Sequence, residues 1–491
     1  MCLRFSLNEL QEFIEKTNAQ LKRPVKEGDY NRLVEIMAHL AAIKQREQAT
    51  DALFVPLKET IELLKSYNQE LPEEVHQQLE ILPEKWLNLK RNYVAMRQNV
   101  APLQAQENAK IRQRLAEFDT VQTQFRERFK NEAPYSYDTP EAYKKLDRVN
   151  RDLIKQENEL DKLMKSSALF EVSFPDFKLI KQCRKDVKLL KQLWDYISLV
   201  GFSMDDWKST RWREINVEQM DAEVKKFQRD IKLLDKEMRA WNAYIRLEQI
   251  LKNMITALRS ITELQNPAIR DRHWDELMTC TGVQFSMSAQ TTLEELLNLN
   301  LYNYEEEVRN IVDKAVKEMS MEKTIKDIEN TWTTMEFSTD PHPRTGIKLL
   351  TASDELIETL EDHQVQLQNM LQSKYIAFFQ NQVSSWQKRL SQADQVIQIL
   401  REVQKTWAHL ESIFIGTEDI RKQLPEDSKR FDEIDRDFKQ VAEENQKDLK
   451  VIPCTNRPNV YEQLESIKTR LALCEKALAE YLETKRLAFP R

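Results

Sequence analysis

The sequence predicts an all-α protein, an elongated array of helical bundles with one small β-hairpin near residues 331–350. Two features of its 491 residues carry this prediction. Apolar residues make up 41% and charged residues 32%, with both signs interspersed, which is typical of helices with one buried and one solvated face. Only five glycines occur, where a chain of this length would ordinarily hold about 35, and helix interiors disfavour glycine.

Three stretches in the second half of the chain show the helical repeat most clearly. In the first, the apolar positions are Trp386, Ala393, Leu400, Trp407 and Phe414, flanked by Leu390, Ile397, Val403 and Leu410. In the second, they are Val460, Leu464, Ile467, Leu471, Cys474, Leu478 and Tyr481. A shorter third seam comprises Ile325, Ile328, Trp332 and Met335. Steps of three, four and seven residues place each set on one helix face, so each stretch predicts an amphipathic helix with a buried seam.

The segment around residues 331–350 interrupts the helical pattern. The runs TWTTMEF (331–337) and IKLL (347–350) are β-capable, and STDPHPRTG between them contains two prolines and a glycine. This arrangement favours a β-hairpin, although the first run also fits the end of the preceding helix. Gly346 in this loop and Gly416 after the Phe414 seam are candidate turn or hinge positions. Thr351 and Ser353, followed by Asp354 and Glu355, predict the polar start of the next helix.

The first 133 residues contain prolines between periodic stretches, among them Pro56, Pro83 and Pro102. Because proline lacks a backbone N–H and clashes with the preceding turn, we expect these residues to separate short helices. The polar segment APYSYDTP (133–140) marks a boundary, and a charged helix follows it. We therefore predict three parts: residues 1–133, a connecting helix within 134–167, and residues 168–491.

Composition and spacing speak against several functional classes. No phosphate-binding G-x-x-x-x-G-K-[ST] motif occurs, and the net charge of −7 opposes a nucleic-acid-binding surface. The longest nearly uncharged apolar stretch, 196–202, is too short to span a membrane, and the N-terminus lacks a signal-peptide core. We therefore expect neither a nucleic-acid nor a membrane partner. Five widely spaced cysteines, an odd number, predict reduced thiols in a cytosolic compartment.

The spacing of the histidines gives no metal or catalytic site. They are His39, His76, His273, His342, His363 and His409. The nearest two are 21 residues apart, so no helix carries a zinc-binding pair, and no CxxC motif occurs. We predict no catalytic, cofactor-binding or metal-binding residue, and no cofactor. His363 lies in a heptad-like stretch and is expected to be a packing residue.

Carboxylates and tryptophans favour structural interpretations as well. Acidic clusters such as Glu305–Glu307 are expected to complement a helix dipole rather than to perform acid–base chemistry. Most tryptophans lie at helical spacings with other apolar residues, which favours packing in the core over a partner-binding surface. The tryptophans considered are Trp194, Trp207, Trp212, Trp241, Trp274, Trp332, Trp386 and Trp407.

A series of sequence blocks from Leu193 onward is specific enough to indicate a family. The blocks are LWDYISLV, DDWKSTRWREINVEQMDAEVKKF, AWNAYIRLEQILKNM, ELQNPAIRDRHWDELM, TGVQF, NYEEEVRNIVDKAVKEMSMEK, TLEDHQVQLQNMLQSKY, HLESIFIGTEDIRKQLPEDSKRF and LALCEKALAEYLETKRLAFPR. They resemble the linker region of dynein heavy chains, most closely of the axonemal outer-arm type, densely over roughly 168–491. Upstream, EGDYNRLVEIMAHL, ELLKSYNQELPEEV, LPEKW and VAPLQA resemble the tail segment before that linker.

The resemblance implies a mechanical role. In dyneins the linker is a stack of helical bundles that lies across a ring of AAA ATPase modules and bends and straightens as the ring hydrolyses ATP. Residues 1–133 would then belong to the distal tail and 168–491 to the N-terminal part of the linker. The implied partners are the AAA ring of the same heavy chain and, through the tail, dynein intermediate chains and other heavy chains. The implied location is the cytoplasm and cytoskeleton, in the axoneme of a cilium.

The resemblance also implies that the ATPase modules follow this region, so we expect a non-catalytic fragment of an ATP-hydrolysing microtubule motor. Three positions depart from the family pattern: Arg246 and Asn459 stand where glycine is usual, and His363 where asparagine is usual. Asparagine tolerates left-handed backbone, so the change at Asn459 is mild. The alternative is a static, spectrin-like helical scaffold or interaction protein, which would show a helical repeat of fixed length. The sequence shows none.

Overall fold

The computed structural model describes residues 2–67 and 72–488. Within them the chain is 81% helical, with sixteen α-helices and one two-stranded antiparallel hairpin. This confirms the predicted all-α class with a single small hairpin. Residues 68–71 and 489–491, which belong to two of the sequence blocks quoted above, lie outside the described part of the chain.

The helices differ widely in length. In chain order they are α1 Cys2–Leu21, α2 Tyr30–Ser66, α3 Glu73–Glu132, α4 Ala142–Leu169, α5 Lys178–Lys208, α6 Val217–Lys232, α7 Asn242–Leu264, α8 Asp271–Thr281, α9 Leu293–Leu297, α10 Glu305–Thr334, α11 Asp354–Leu371, α12 Gln380–Phe414, α13 Glu418–Gln423, α14 Pro425–Lys447, α15 Val451–Thr455 and α16 Val460–Leu487. The strands are β1 Ser338–Pro341 and β2 Lys348–Thr351. Among these described helices, lengths from 5 to 60 residues do not fit a repeat of fixed length.

Contacts within the chain divide it into two compact units. The first unit comprises the residues up to Trp207 together with Ala222–Asn253, and the second comprises Lys208–Asp221 together with the residues from Met254 onward. Each unit has its own hydrophobic core. The predicted division at residues 133 and 167 stays a prediction.

Helices α1 to α5 build the core of the first unit. Each contributes a fully buried leucine or isoleucine, namely Leu7, Ile36, Leu89, Leu153 and Leu190. Helix α4, which we predicted as a connecting helix, therefore buries its apolar face within this core. Its polar residues cover the opposite face, as expected for an amphipathic helix on the surface of a bundle.

The expectation of short helices in the first 133 residues is wrong. Pro56 lies inside the 37-residue helix α2, and Pro83 and Pro102 lie inside the 60-residue helix α3. Each proline removes one helical hydrogen bond, at a cost of about 3 kcal/mol in a helix interior. The buried residues on either side of Pro83, such as Leu82 and Trp86, show why the helix continues. Burial of this apolar face against the bundle outweighs the local preference of proline.

The second unit contains the predicted seams. The heptad positions from Ala393 to Phe414 are buried along α12, and those from Val460 to Leu478 are buried along α16. Trp386, near the start of α12, is only partly buried. Helix α12 packs against α11, α14 and α16, so its seam is enclosed by neighbouring helices. The predicted long amphipathic helices are therefore present in this unit.

The hairpin is confirmed, with its first strand later than the sequence indicated. Residues 331–334 end α10, which was the alternative interpretation of that run. The strands pair antiparallel, with Ser338 opposite Thr351 and Pro341 opposite Lys348. The Ser353 hydroxyl accepts a hydrogen bond from the Leu356 N–H over 3.2 Å, so Ser353 caps α11 as expected.

Two of the departures from the family pattern fit their positions in the structure. Asn459 precedes α16 with a φ of 63°, in the left-handed region that glycine would otherwise occupy. Arg246 is an exposed residue of α7, where an arginine side chain remains in solvent. Both residues therefore suit the backbone conformation and the exposure of their positions.

The remaining features concern thiols and membranes. Four cysteines whose side chains the structure describes are free thiols: Cys183, Cys454 and Cys474 are buried, and Cys280 is exposed. Burial raises the pKa of each of the three buried thiols, which keeps them protonated. Among the described helices, none combines the length and the apolar character that crossing a bilayer requires.

Candidate functional site at the hairpin and the end of α12

The hairpin turn of the second unit contains Gly346, one of the two predicted turn or hinge positions. Its φ of 70° lies in the left-handed region that favours glycine. The Gly346 N–H donates to the His342 carbonyl over 2.9 Å, and the His342 N–H donates to the Ile347 carbonyl over 2.7 Å. These two hydrogen bonds close the loop between β1 and β2.

The second of these positions, Gly416, lies in the turn that follows α12. An added Cβ would collide with the backbone carbonyl of Ser412 and with the guanidinium of Arg344. Arg344 belongs to the hairpin loop and reaches residue 416 with the end of its flexible side chain, whereas the Ser412 carbonyl that leaves no room for a Cβ belongs to α12 itself. The structure thus brings both predicted glycines to the two sides of one contact.

An ion pair accompanies this close approach. Arg344 Nη2 donates to Glu411 Oε1 over 2.7 Å. The Glu411 side chain is 1% exposed and that of Arg344 is 45% exposed, so the pair joins a buried carboxylate to a guanidinium at the surface. Glu411 Oε2 has no hydrogen-bond partner among the described residues. Removing Arg344 would leave the buried carboxylate without a compensating charge, which is unfavourable.

An aromatic contact holds the first part of the loop. The His342 ring packs edge-on against Trp407 of α12, with ring centroids 4.9 Å apart. The Trp407 indole N–H donates to Asp435 Oδ1 on α14 over 3.0 Å, and the indole stacks on Phe438 at 4.5 Å. The hairpin therefore packs on a tryptophan that α14 itself fixes in place.

Backbone hydrogen bonds connect the strands to their surroundings. The Gln404 side chain of α12 donates to the Leu350 carbonyl over 2.8 Å and accepts from the Leu350 N–H over 3.1 Å. Before β1, the Phe337 N–H donates to the Leu449 carbonyl over 2.9 Å. We call residues 335–351 the hairpin clasp, because they bind α12 through side chains and backbone at several points.

Two histidines of this unit, the buried His273 and the half-buried His363, form hydrogen bonds with neighbouring groups. His273 Nδ1 accepts from the Arg270 N–H over 3.0 Å, and its Nε2 lies 3.1 Å from Glu318 Oε2. His363 Nδ1 accepts from the Trp332 indole N–H over 3.0 Å. Burial lowers the pKa of both histidines below its usual value. Within the described ranges, no group of three or more His, Cys, Asp or Glu side chains is placed to hold a metal ion.

The acidic cluster and the tryptophans occupy structural positions. Glu305–Glu307 form the first turn of α10, where their charge complements the helix dipole. Five tryptophans are buried, namely Trp86, Trp194, Trp274, Trp332 and Trp407. Trp86 was not among the tryptophans considered above, although it lies in the same kind of apolar pattern on α3.

Sequence reasoning missed a buried polar network in the first unit. Asp186 on α5 is 3% exposed and accepts hydrogen bonds from Arg126 Nη1 and the Tyr135 hydroxyl, each over 2.7 Å. The Gln182 side chain donates to its other oxygen over 2.9 Å. Burial and the Asp186 carboxylate raise the pKa of Tyr135. The one signal in the sequence is the position of Asp186 directly before the apolar run that begins at Val187.

A comparison with known protein families identifies the family of this chain. A family model described as "Dynein heavy chain, N-terminal region 2" matches residues 180–491, which is more than half of the chain. The chain belongs to the dynein heavy chain family. The match confirms that the sequence blocks from Leu193 onward resemble dynein heavy chains.

Individual relatives extend the match to the first unit. "Dynein beta chain, ciliary" of Tripneustes gratilla is 58% identical over 99% of this chain, and "Dynein axonemal heavy chain 17" of Mus musculus is 56% identical over 99%. "Dynein beta chain, flagellar outer arm" of Chlamydomonas reinhardtii is 37% identical over 94%. The dynein chain described here spans only 10–11% of the length of these relatives. They confirm the axonemal type and the expected location in the axoneme of the cilium.

Proposed function

We propose that this dynein segment is a non-catalytic element that transmits force. In this proposal residues 1–133 form the end of the tail, residues 134–167 a connecting helix, and residues 168–491 the N-terminal part of the linker. The observation that carries it is the match of residues 180–491 to a region of dynein heavy chains. In the whole motor, the linker would transmit conformational changes of the AAA ring to the tail during microtubule-based ciliary movement.

The construction of α12 supports this role. The helix is 35 residues long, or about 52 Å at 1.5 Å per residue. Its buried seam ends in Trp407, Leu410 and Phe414, which are fully enclosed. Because protein cores are close-packed, bending this helix would separate side chains that now touch. Such a helix suits an element that must move as a stiff body.

The hairpin clasp bears on where this element bends. The Arg344 guanidinium lies beside Gly416 as well as beside Glu411. We propose that the clasp keeps the turn after α12 rigid while it is closed, and that Gly346 provides the tight loop that presents Arg344. A hinge at Gly416 would then operate only after the ion pair separates.

The proposed partners follow from this assignment. The linker part would contact the AAA ring of the same heavy chain, and the tail part would contact dynein intermediate chains and other heavy chains. The phosphate-binding loops of the motor would lie in other parts of the heavy chain.

The absence of catalysis can be tested directly on the 491-residue chain. We expect no ATP binding in calorimetric titrations up to millimolar nucleotide and no phosphate release in a coupled assay. Binding of ATP with micromolar affinity, together with turnover, would contradict the proposal. An ATP-hydrolysing full-length motor serves as the positive control in both assays.

Force transmission requires the full-length heavy chain. We expect the Arg344→Ala variant to retain the ATPase rate of the parent motor while microtubule gliding velocity and stall force fall, because the clasp is released. Lys476→Ala removes an exposed cation of α16 and is the matched control, with no expected change. Unchanged gliding and stall force in the Arg344 variant would rule out a mechanical role of the clasp.

A further inference from the structure

The segment between α3 and α4, residues 133–141, has the composition of a flexible linker. It is polar, contains two prolines and begins at the predicted boundary after residue 133. Linkers of this kind normally run over the protein surface and make few contacts. The start of this segment is buried instead, since Ala133 and Pro134 are both enclosed within the first unit. Its surroundings therefore decide whether the chain can bend here.

Two backbone carbonyls at the start of the segment are bound by other helices. The Pro134 carbonyl accepts the indole N–H of Trp194 on α5 over 2.8 Å, and Trp194 is itself only 8% exposed. The Tyr135 carbonyl accepts the N–H of Ala243 in the first turn of α7 over 2.9 Å, and Ala243 is fully buried. Because a buried carbonyl without a partner is costly, both bonds oppose separation of the segment from these helices.

The Tyr135 side chain contacts the same helices and α3 as well. Its ring packs edge-on against Trp241, directly before α7, with ring centroids 5.0 Å apart, and edge-on against Phe129 of α3 at 6.4 Å. Its hydroxyl donates to Asp186 on α5 over 2.7 Å. A movement of α3, α5 or the start of α7 relative to the other two would break one of these contacts.

A side chain at the start of α7 binds the middle of the segment. Asn242 Oδ1 accepts hydrogen bonds from the Tyr137 N–H and from the Ser136 hydroxyl, each over 3.1 Å. The Ser136 carbonyl accepts from the Thr139 hydroxyl over 2.7 Å, which closes a turn within the segment. These bonds are exposed and individually weak, but they act on a segment whose first residues are already held by buried contacts.

We propose that residues 133–141 form a rigid junction, which holds the end of α3 and the start of α7 as one body, so that the chain does not bend at the predicted boundary. The junction joins residues 106 positions apart in the sequence, with α4, α5 and α6 between them along the chain. If the segment transmits force as proposed above, the force passes from α3 to α7 through the junction rather than through these three helices. Only this last consequence rests on the proposed function.

The first test measures rigidity by electron–electron double resonance on the 491-residue chain. Unnatural amino acids that carry spin labels replace Gln113 on α3 and Arg246 on α7, which are both exposed. The reference pair, Arg91 and Gln113, places both labels on α3. We expect the two distance distributions to have about the same width, because both pairs then lie within one rigid body. A distribution between α3 and α7 that is about twofold wider or more, or that has two maxima, overturns the proposal.

The second test assigns the rigidity to the junction. Trp194→Phe keeps a ring at this position but removes the N–H that binds the Pro134 carbonyl. We expect hydrogen–deuterium exchange in residues 135–139 and 243–245 to become about tenfold faster. The matched control is Trp332→Phe, which removes a buried indole donor from α10 in the second unit and should leave exchange in these residues unchanged.

A milder variant guards against a general loss of folding. Asn242→Ala removes an exposed acceptor, so we expect about threefold faster exchange confined to residues 136–139. Circular dichroism of each variant shows whether the helices are intact. Unchanged exchange in both the Trp194 and the Asn242 variants would overturn the proposal. None of these measurements involves ATP, microtubules or gliding, so the rigid junction and the proposed transmission of force can fail independently.

Discussion

Two buried carboxylates, Asp186 in the first unit and Glu411 in the second, are bound in different ways. Both Asp186 oxygens accept hydrogen bonds, and its partner Arg126 is itself largely buried, at 14% exposure. Only one Glu411 oxygen has a partner, and that partner, Arg344, is half exposed. The first carboxylate belongs to a fully satisfied network, whereas the second belongs to a contact that can open toward solvent. We therefore expect the Asp186 network to resist local opening more strongly than the Arg344–Glu411 contact.

The largest effect is expected from Asp186→Asn. The change removes the charge beside the buried Arg126, and we expect a loss of about 3–5 kcal/mol in the free energy of opening of the α3–α5 contact. Hydrogen–deuterium exchange of peptides from α3 and α5 measures this local opening without assuming two-state unfolding. The double variant Arg126→Met with Asp186→Leu should regain part of the stability, because it leaves no unpaired charge, although Tyr135 and Gln182 lose their acceptor. Unchanged exchange in the Asp186→Asn variant would contradict the view that the Asp186 network stabilises the contact between α3 and α5.

Gly416→Ala is expected to have the next largest effect. The new Cβ would meet the Ser412 carbonyl and the Arg344 guanidinium, and relieving such overlap typically costs about 1–3 kcal/mol. Exchange should therefore increase in residues 342–347 and at the end of α12. Gly201→Ala is the control, since nothing lies within 4 Å of a Cβ at this α5 position. There we expect a gain of about 0.5–1 kcal/mol from the higher helix propensity of alanine. If alanine changed stability equally at Gly416 and at Gly201, the space beside Gly416 would not be as restricted as the structure indicates.

The seams of α12 and α16 could be predicted from sequence because their spacing alone places the residues on one helix face. The lengths of α2 and α3 could not, because local rules for Pro56, Pro83 and Pro102 ignore the burial of the surrounding face. The contact of Arg344 with Glu411 joins residues 67 positions apart, and that of Arg126 with Asp186 joins residues 60 positions apart. Periodicity carries no information about such pairs, so neither pairing could be predicted before the fold was known.

A pH titration extends the comparison to a half-buried group, His363, which forms no ion pair with another described residue. The His363 ring accepts the Trp332 indole N–H, and burial lowers its pKa below the usual 6.5 despite the nearby carboxylates of Asp362 and Asp327. Because the folded-state pKa is lower than the unfolded one, this contribution is present above about pH 6.5 and is lost as the pH falls through the folded-state value. We expect local stability around α11 to decrease by about 1 kcal/mol over this range.

The control for this titration is His363→Asn, which keeps an acceptor for Trp332 but does not titrate. Its stability at neutral pH should be close to that of the parent chain, and its pH dependence between about pH 7 and 5 should be flatter. Tryptophan fluorescence and exchange of α10 and α11 peptides measure both. A variant with the same pH profile as the parent would show that His363 is not the titrating group.

The smallest effect is expected from Glu411→Gln, the isosteric counterpart of Asp186→Asn. Glutamine can still accept the hydrogen bond from Arg344, and the guanidinium can turn to solvent because its side chain is 45% exposed. The new amide NH₂ also replaces an oxygen that has no partner among the described residues. We therefore expect a loss below about 1 kcal/mol, measured by exchange at residues 342–347 and 408–416. If this variant were destabilised as strongly as Asp186→Asn, the two carboxylates would contribute equally to stability. The clasp could then not open without unfolding the end of α12. A small loss together with faster exchange confined to residues 342–347 would instead identify the loop as the part that releases first.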